Sequence, residues 1–573
     1  MRIALAQINP FVGDVAGNAA KHVAFIARAA EQDADLVIFP ELSVIGYPPK
    51  DLLLKPDVIE RCEAAVAEIA AACRDVAALL HRGKVVHRRD KHLLPTYDVF
   101  DESRYFEPGP AVELTQHGGV KLGVSICEDL WNEAELVERQ LYHENPIDDL
   151  ARLGAQLFIN CAASPFVLDK HAFRLKLMKH AARKHKLAVV YVNQVGGNDE
   201  LIFDGNSCVV DAEGNIIAHA RDFEEDLLVV EMAGIGYEAG SRGRPATCGG
   251  VSWGEEEDAK PRAARIETPR EGMAAAHAAL VLGLRDYCGK CGFKSAVVGL
   301  SGGIDSAVTA ALCVAALGAE HVAGIAMPSR YSSQGSLDDA RQLAENLRIR
   351  YEVIPIEPAH EAMERMLTAA WGELRDLPAQ NIQARIRGII LMGHSNQTGA
   401  LLVTTGNKSE IAVGYCTLYG DMAGGLAVLS DVPKTMVYEL AEWMNTPPGS
   451  SANSTGVAPI PRNTITKPPS AELKPNQTDQ DSLPAYDVLD EIIERYVERL
   501  EPARRIIEAT GFDAAVVNRV VKMIDRAEYK RKQAAPGLKI TSRAFGFGRR
   551  MPIAQGWGEK EGTKAQSHGG TEG

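Results

Sequence analysis

The stretch that decides the fold of the C-terminal half is "VVGLSGGIDSA", residues 297–307. An apolar run typical of a buried strand leads into Ser301-Gly302-Gly303, and Asp305-Ser306 opens a helix. The two glycines let the backbone approach a bound group and adopt positive φ. Free N–H groups at the helix start face an anion, and the two serine hydroxyls add donors. The sequence therefore predicts a strand–loop–helix that binds phosphate.

The loop also predicts a metal ligand. It lacks the G-x-x-x-x-G-K-[ST] pattern of a Walker A loop. Asp305 would repel a phosphate unless a cation lay between them, so we expect it to bind Mg²⁺. The alternative is a glycine turn before a capped helix, which the strand–loop–helix context disfavours.

Strands and helices alternate around this loop. The pattern predicts strands at 295–300, 321–328, 351–356 and 400–406, and helices at 271–288, 306–317, 337–347 and 380–395. Strands separated by helices form parallel βαβ units. We therefore expect an open, doubly wound parallel sheet, with ligands beyond the carboxyl ends of the strands.

The N-terminal half is also of the α/β class. Strands are expected at 2–8, 35–40, 155–160 and 187–196, helices at 58–73 and 170–185, and hairpins at 76–90 and 207–220. Four parts are predicted: a domain at 1–245, a Gly-, Pro- and charge-rich linker at 246–268, a domain at 269–556, and a disordered tail at 557–573. The polar segment 447–487 is long enough to be functional or disordered.

Composition excludes some classes of protein. The chain has 573 residues, 46% of them hydrophobic, and a net charge of −14, which argues against nucleic-acid binding. It has no signal-peptide pattern and no apolar run long enough to span a membrane, so we expect a cytoplasmic protein with no membrane partner. Its ten cysteines are scattered, as is usual for reduced thiols. The CxxC pair Cys288 and Cys291 is interpreted as a helix end, with zinc or redox chemistry as the lesser alternative.

One cysteine stands in an unusual position. In "KLGVSICEDLW", residues 121–131, Cys127 ends an apolar strand and is followed at once by Glu128 and Asp129. Acidic neighbours disfavour a thiolate, so a reactive thiol here would need separate activation. Taken alone, the pattern is typical of a buried structural cysteine.

The loop at 297–307 resembles the phosphate loop of the ATP pyrophosphatase (adenine nucleotide alpha hydrolase-like) family. The segments "NIQARIRG" (381–388), "TTGNKSEIAVGYCTLYGDMAGG" (404–425), "DVPKTMVYELA" (431–441) and 467–490 resemble those of NAD synthetases. The resemblance implies ATP as co-substrate, cleaved between its α- and β-phosphates. It also implies an adenylate that a nitrogen nucleophile displaces.

The same resemblance implies site residues. ATP would contact Ser301, Gly302, Gly303, Asp305, Ser306, Thr405, Lys434 and a lid containing Ser470. Mg²⁺ would be held by Asp305 and Glu410, and deamido-NAD by Asn381, Arg385 and Asp421. Asn381 and Arg385 are four residues apart, so one helix face presents both. Without these motifs, Arg385 and Arg387 would be interpreted as solvated surface residues.

Three stretches of the first half resemble the nitrilase superfamily, whose fold is an α-β-β-α sandwich. They are "FPELSVIGYPP" (39–49), "DKHLLPTYDVFDESRYF" (90–106) and "SICEDLW" (125–131). The resemblance implies a triad of Glu41 as base, Lys91 as oxyanion ligand and Cys127 as nucleophile, with Glu102 as a second carboxylate. Glutamine would contact Tyr47, Tyr97, Glu128, Ser164 and Lys170, each of which could equally be a plain surface residue.

The first half departs from this family at one place. Between 73 and 76 the chain passes almost directly from a helix to a hairpin, where the family has another strand and loop. The domain at 1–245 is therefore expected to be a shortened sandwich.

Together the two resemblances imply a ligase that amidates deamido-NAD with ATP, using ammonia released from glutamine. We expect ammonia to follow a protected interior route, and a homo-oligomer. Two alternatives remain open: another amidotransferase on the same phosphate loop, and a protein that uses only free ammonia and whose first half is a scaffold.

Overall fold

The computed structural model describes residues 1–73, 80–81, 84–137, 140–232, 264–447 and 458–555. Its contacts divide the chain into two compact units. Unit 1 contains Met1–Lys294, Ala315–Gly318 and Leu538–Thr541, and unit 2 contains the remainder. No helix in the described ranges is long and apolar enough to cross a membrane.

Unit 1 is built on two sheets. The three-stranded sheet has the order β13-β1-β2, formed by Asp226–Glu231, Arg2–Gln7 and Leu36–Ile38. The six-stranded sheet has the order β12-β11-β8-β7-β6-β5, formed by Ile216–His219, Cys208–Val210, Val189–Asn193, Leu157–Ala162, Val120–Ile126 and Thr115–His117. Strands β6, β7 and β8 are parallel, so their carboxyl ends meet at one edge.

Helices cover the outer faces of both sheets. They are α1 (Val15–Ala30) on the three-stranded sheet, and α3 (Pro146–Arg152) and α4 (Lys170–His185) on the six-stranded sheet. Helix α2 (Pro56–Ala72) packs against α1, and α5 (Gly272–Cys291) packs against the hairpin of β9 (Val195–Asn198) and β10 (Leu201–Asp204). Short 3-10 helices occupy Lys50–Leu54, Glu102–Arg104 and Cys127–Leu130. Two separate hairpins complete the unit: β3 (Leu80–His81) with β4 (Lys84–Val85), and β9 with β10.

Strand alternation explains the layers of unit 1. In β1, Ile3 and Leu5 face the core between the two sheets, whereas Ala4 and Ala6 face Phe25 of α1. On the far side, the six-stranded sheet packs against α3 and α4. The layers are thus helix, sheet, sheet and helix, which confirms the predicted sandwich.

Unit 2 contains one parallel sheet of order β16-β15-β14-β17-β18. Its strands are β14 (Ala296–Gly299), β15 (Val322–Ala326), β16 (Arg350–Val353), β17 (Leu401–Thr404) and β18 (Leu426–Ala427). The order reverses between β14 and β17, so the loops after these two strands lie side by side at a switch point, where such sheets bind ligands.

Eleven helices accompany this sheet in the described ranges. They are α6 (Ile304–Leu317), α7 (Gln334–Leu347), α8 (Glu357–Trp371), α9 (Asp376–Thr398), α10 (Lys408–Val413), α11 (Lys434–Asn445), α12 (Arg462–Thr466), α13 (Tyr486–Ile493), α14 (Ala503–Thr510), α15 (Ala514–Arg526) and α16 (Glu528–Arg531). Short turns occur at Ala319–His321, Asp479–Asp481 and, with π-helical geometry, Glu494–Glu498. Helices α10 and α13–α15 share a core of their own.

The doubly wound fold class is confirmed, with differences at the level of elements. Helix α8 was not predicted, and the polar segment 447–487 contains α12. Cys288 and Cys291 both lie in α5, which ends at Cys291, as expected for a helix end. Residues 74–79, 82–83, most of the expected linker and the expected disordered tail fall outside the described residues.

Candidate functional site

Cys127 occupies the turn between β6 and a 3-10 helix. Its φ is +42°, a left-handed conformation that costs a non-glycine residue free energy. A strained strand-to-helix turn of this kind presents a nucleophile at the carboxyl edge of a sheet. The thiol is buried, and Glu41 and Lys91 both act electrostatically on it.

Lys91 connects two buried carboxylates beside this turn. Its Nζ lies 2.8 Å from Glu41 Oε1 and 2.7 Å from Glu102 Oε2. Glu41 Oε2 accepts from the backbone N–H of Ala163 at 3.2 Å, and Tyr47 OH donates to Glu102 at 2.9 Å. The structure thus brings the three predicted triad residues and Glu102 into one cluster.

The cluster sets its own protonation states. Burial raises the pKa of the Cys127 thiol well above its ordinary value, and the charge of Glu41 adds to the rise while Lys91 opposes it. Burial alone lowers the pKa of Lys91, but Glu41 and the other acidic groups raise it well above its ordinary value. At neutral pH the resting site therefore holds a neutral thiol and an ammonium group.

Asp129 ties the lysine loop to the cysteine turn. Its Oδ1 accepts from the backbone N–H groups of His92 and Leu93 at 3.1 and 2.8 Å. Its Oδ2 accepts from Ile126 N at 3.0 Å and lies 3.6 Å from Arg89. Because Ile126 and His92 adjoin Cys127 and Lys91, this buried carboxylate fixes the two loops against each other.

Three of the residues predicted to bind glutamine adjoin this cluster through hydroxyl–carboxylate bonds. Tyr97 OH donates to Glu128 at 2.9 Å, and Tyr142 OH donates to the same carboxylate at 3.2 Å. Tyr47 is bonded to Glu102 instead. Glu128 is buried, so an incoming ammonium group would find a carboxylate already held in position.

The other two predicted glutamine residues follow β7. Ser164 is buried, and its N–H donates to Asn193 Oδ1 at 2.8 Å. Lys170 donates to Pro165 O at 3.1 Å, and its Nζ lies 5.0 Å from the Trp131 ring centroid. Burial, followed by the charge of Arg174, lowers the pKa of Lys170 to about 8.

The phosphate loop of unit 2 is held by its own hydroxyls. Gly303 N–H donates to Ser301 Oγ at 3.1 Å, and Ser306 Oγ donates to Gly303 O at 2.9 Å. Gly302 has φ +78°, and a Cβ atom there would lie 2.2 Å from Ser336 O. The loop therefore requires glycine both for its conformation and for its close approach to α7.

A cavity of about 540 Å³ opens at this loop. All the residues predicted to bind ATP, the metal ion and deamido-NAD line this cavity except Gly302, which packs against Ser336 of α7. The lining residues among them are Ser301, Gly303, Asp305, Ser306, Asn381, Arg385, Thr405, Glu410, Asp421, Lys434 and Ser470. Its position matches the switch point between β14 and β17.

A charged cluster occupies the floor of the cavity. Lys434 Nζ lies 2.5 Å from Asp305 Oδ2 and 3.4 Å from Glu410 Oε1. Asn407 Nδ2 donates to Asp305 Oδ1 at 2.9 Å. Burial raises the pKa of Glu410 to about 8, with Lys434 opposing and Asp305 adding to the rise. Within the described ranges no group of three or more His, Cys, Asp and Glu side chains could hold a metal ion.

The residues predicted for deamido-NAD surround the loop after α10. Asp421 Oδ1 accepts from Thr417 N at 2.6 Å, and Thr417 Oγ1 donates to Asn381 Oδ1 at 3.0 Å. Arg385 Nε donates to Leu418 O at 3.2 Å. Burial raises the pKa of Asp421 to about 6. One face of α9 thus joins this loop.

The sequence did not indicate several residues that line the sites. Arg387, Lys467, Glu472 and Asp479 line the cavity of unit 2, although Arg387 alone would pass for a surface residue. A signal existed for the last three, because "KPPSAELKPNQTDQD" is dense in charged and polar residues. Asp129 was noted only as an acidic neighbour, since its partners are backbone groups distant in sequence.

Two family models match successive parts of the chain. The sequence model of the NAD synthase family matches residues 276–534. The model of the carbon-nitrogen hydrolase family matches in two parts, residues 2–81 and 75–234.

Whole-length relatives are also found. A glutamine-dependent NAD(+) synthetase from Synechocystis is 44% identical, over 96% of this chain and 98% of the relative. One from Acinetobacter baylyi is 40% identical, over 97% and 98%. The structure of glutamine-dependent NAD+ synthetase from Acinetobacter baumannii in complex with adenosine diphosphate is 38% identical, with a TM-score of 0.72, covering 98% of this chain and 99% of that one.

Proposed function

The chain belongs to the family of glutamine-dependent NAD(+) synthetases, and we propose how its residues divide that reaction. It is a ligase that uses glutamine as amide donor and ATP as co-substrate. The overall reaction converts deamido-NAD, ATP, glutamine and water to NAD, AMP, pyrophosphate and glutamate. The observation that carries the assignment of the nitrogen source is Lys91, held between Glu41 and Glu102 beside the buried Cys127.

Cys127 attacks the side-chain amide carbon of glutamine. Because the pKa of the thiol is raised, Glu41 must take its proton as the C–S bond forms. The oxyanion is stabilised by the Lys91 ammonium and by the N–H of Glu128. Glu41 then gives its proton to the leaving nitrogen, the C–N bond breaks, and ammonia departs from a thioester.

Hydrolysis of the thioester completes the first half-reaction. Glu41 takes a proton from a water molecule as the water oxygen attacks the thioester carbon, and the C–S bond breaks. The proton returns to the cysteine sulfur and glutamate leaves. Glu102 keeps Lys91 in position throughout, since it accepts from Nζ at 2.7 and 2.9 Å.

The substrate's α-groups account for the remaining predicted residues. Glu128, held by Tyr97 and Tyr142, binds the α-ammonium group of glutamine. Lys170 and Ser164 bind the α-carboxylate. Tyr47 shapes the pocket from the side of Glu102.

In unit 2, ATP lies with its β- and γ-phosphates in the loop Ser301–Ser306. A carboxylate oxygen of deamido-NAD, positioned by Asn381, Arg385 and Asp421, attacks the α-phosphorus, and pyrophosphate leaves. Ammonia then attacks the adenylate carbonyl, and AMP leaves. Lys434, Thr405 and the Ser470 segment contact ATP. The bound nucleotide of the Acinetobacter baumannii relative supports a nucleotide site.

Asp305 and Glu410 fit a magnesium ion. Both are largely buried carboxylates, Asp305 in the phosphate loop and Glu410 beside it, and carboxylate oxygens are ligands that Mg²⁺ binds together with nucleotide phosphates. Bound there, Mg²⁺ would neutralise phosphate charge. Lys434, which now lies between the two carboxylates, would then be free to contact the phosphates.

We also propose a homo-oligomer. Helices α8 and α9 leave Met366, Trp371, Leu377 and Ile389 exposed, each by 66% or more. A second copy of the chain would cover this apolar surface through a self-complementary interface. The mass in solution, compared between the parent and an Ile389→Glu variant, tests this.

Cys127→Ala tests the division of labour. We expect it to abolish NAD formation with glutamine and to leave formation with ammonium within about twofold of the parent, because Cys127 acts only in releasing ammonia. Both rates are measured as pyrophosphate release. Glutamine use at the parental rate in the variant would reject Cys127 as the nucleophile, whereas a parent that itself makes no NAD from glutamine would support the scaffold alternative.

A further inference from the structure

Helix α5 carries two charged side chains that face the β9–β10 hairpin of unit 1. Asp286 and Lys290 are four residues apart, so they lie on the same side of the helix. Both are largely buried, and the distance between Lys290 Nζ and Asp286 Oδ2 is 3.6 Å. They lie inside the region that matches the NAD synthase family, yet their contacts are all with unit 1.

Both side chains form hydrogen bonds with Asn9 and Gly197, Asp286 as acceptor and Lys290 as donor. Asp286 Oδ2 accepts from Asn9 Nδ2 and from Gly197 N, each at 2.7 Å. Lys290 Nζ donates to Asn9 Oδ1 at 2.7 Å and to Gly197 O at 2.8 Å. Gly197 permits this approach, because a Cβ there would lie 3.0 Å from Gly283 Cα on the same helix.

Lys290 also reaches a third residue, and through it the catalytic cluster. Its Nζ donates to Asn198 Oδ1 at 2.7 Å. Asn198 Nδ2 then donates to Tyr47 O at 2.8 Å. Tyr47 OH donates to Glu102, which binds Lys91. An unbroken series of buried or largely buried groups thus runs from α5 to the ammonium that faces the reacting carbonyl.

We infer that Lys290 is a positioning residue for glutamine hydrolysis, acting through Asn198 and Tyr47 on the Glu102–Lys91 pair. The inference rests on the proposed function of unit 1. Asn198 has a single side-chain amide group. Because Lys290 binds the amide oxygen, the amide N–H is directed toward Tyr47 O. Without the ammonium the amide is free to rotate, and Tyr47 and Glu102 lose a constraint.

The consequence should appear in turnover rather than in substrate binding. Lys91 stabilises charge that develops only in the transition state. A misplacement of about 1 Å can cost on the order of a hundredfold in rate. Loss of Lys290 should therefore lower the kcat for glutamine while its KM changes little.

Lys290→Met and Asn198→Asp test the series in the full-length protein. The first removes the donor, and the second keeps the acceptor for Lys290 but removes the N–H given to Tyr47. We expect each to lower the kcat for glutamine by roughly ten- to hundredfold, with KM within about twofold and ammonium-supported NAD formation unchanged. Combined, they should be no slower than the slower single variant, because both break one series.

Lys21→Met is the matched control. Lys21 Nζ also donates to Asn9, whose backbone oxygen lies 2.6 Å away, but Lys21 has no contact with Asn198 among those the structure records. It should retain parental kcat for glutamine even where its melting temperature falls as much as that of Lys290→Met. If Lys290→Met does not fold, the inference is tested by comparing the kcat for glutamine of Asn198→Asp with that of Lys21→Met.

Three results would overturn the inference: parental glutamine turnover in Asn198→Asp, effects of the two variants that multiply, or equal losses with glutamine and ammonium. Cys127→Ala, assayed in parallel, separates this inference from the proposed function. If that variant loses glutamine use while Lys290→Met and Asn198→Asp keep it, only the positioning role is rejected. If Cys127→Ala keeps it, the proposed function itself fails.

Discussion

At the scale of single residues, Cys127 shows how a thiol can serve among acids. Its pKa is raised by burial and by Glu41, so it rests as a neutral thiol. A nearby base makes a resting thiolate unnecessary, and the positive φ places the sulfur at the sheet edge where that base lies. The acids that follow it have different partners: Glu128 accepts from the hydroxyls of Tyr97 and Tyr142, and Asp129 accepts from backbone N–H groups.

Asp129→Asn should reduce glutamine turnover at least tenfold. The amide has one acceptor oxygen, so either the N–H groups of His92 and Leu93 or that of Ile126 would face an NH₂ group. An unsatisfied buried donor costs about 1–3 kcal/mol, which should lower the melting temperature. The measurement is steady-state glutaminase activity beside ammonium-supported NAD formation.

Asp149→Asn, which loses only a surface pair with Arg152, is the control for this change. It should be indistinguishable from the parent in both assays. Parental glutamine turnover in Asp129→Asn would show that the two loops hold their positions without this carboxylate.

Glu102 should make unit 1 less stable as pH rises from about 5 to 8. Burial, then the charge of Glu41, raises its pKa from the ordinary 4.5 to about 7, although Lys91 opposes the rise. The fold therefore prefers the protonated carboxyl. That stabilisation is complete below pH 4.5 and is lost as pH passes 7.

Glu102→Gln should remove this dependence, because the amide mimics the protonated form and cannot ionise. Thermal unfolding is measured at pH 5 and at pH 8 for both proteins. The melting temperature of the parent minus that of the variant should be lower at pH 8 than at pH 5. A difference that is constant or rises with pH would contradict the assigned direction.

At the scale of elements, the phosphate loop is specified locally and the hairpin before Lys91 is not. Hydrogen bonds join Ser301, Gly303 and Ser306 to one another, so a few nearby residues fix most of the loop's geometry. The β3–β4 hairpin forms a separate two-stranded sheet with no other described strand beside it. Isolated hairpins are only marginally stable.

Other contacts support the segment that follows this hairpin. Arg89 Nε donates to Val124 O at 3.3 Å, and its guanidinium lies 3.6 Å from Asp129. These contacts hold the segment directly before Lys91 against β6. The cluster of Glu41, Lys91 and Glu102 can therefore assemble although the hairpin has no other described strand beside it.

We predict that the chain uses glutamine poorly compared with saturating ammonium. An exposed hairpin edge leaves Lys91 less firmly positioned, and small displacements are costly in rate. Inserting a family-like strand and loop between Cys73 and Val76 should raise glutamine-dependent turnover several-fold and leave ammonium-dependent turnover unchanged. If the unmodified chain already uses both nitrogen donors equally well, the shortening is harmless and this prediction is wrong.

At the scale of the whole molecule, each unit has its own core and its own chemistry. The sandwich core of unit 1 and the helical core of unit 2 share no residue. The two activities should therefore be separable by mutation in both directions.

Asp305→Asn and Glu410→Gln should each abolish NAD formation with glutamine and with ammonium, because the adenylation site loses a carboxylate. Glutamine hydrolysis without ATP should persist in both variants. Asp338→Asn, an exposed carboxylate on α7, is the control and should leave all three rates at parental values. Near-parental NAD formation in either cavity variant would exclude these residues as metal ligands.

The sequence by itself determined the two fold classes, the strand–loop–helix at 297–307 and the three residues of the proposed triad. Periodicity reports which face of an element is buried, and the motif residues lie within short stretches whose local geometry they specify. It also predicts a shortened segment between 73 and 76, which falls outside the described residues. It missed α8, whose buried residues are few, and it gave no binding role to Arg387, which lines the cavity of unit 2.

Only the tertiary structure decided which distant residues act together. Asp129 meets backbone groups more than 30 positions away, and Lys290 meets Asn9 across 281 positions. It also placed α5 within unit 1, although its sequence matches the NAD synthase family. Hydrogen bonds to backbone carry no side-chain signature in the partner, and long-range pairings depend on how sheets and helices pack. A linear pattern can therefore name the proposed nucleophile and base, but not the groups that hold them in place.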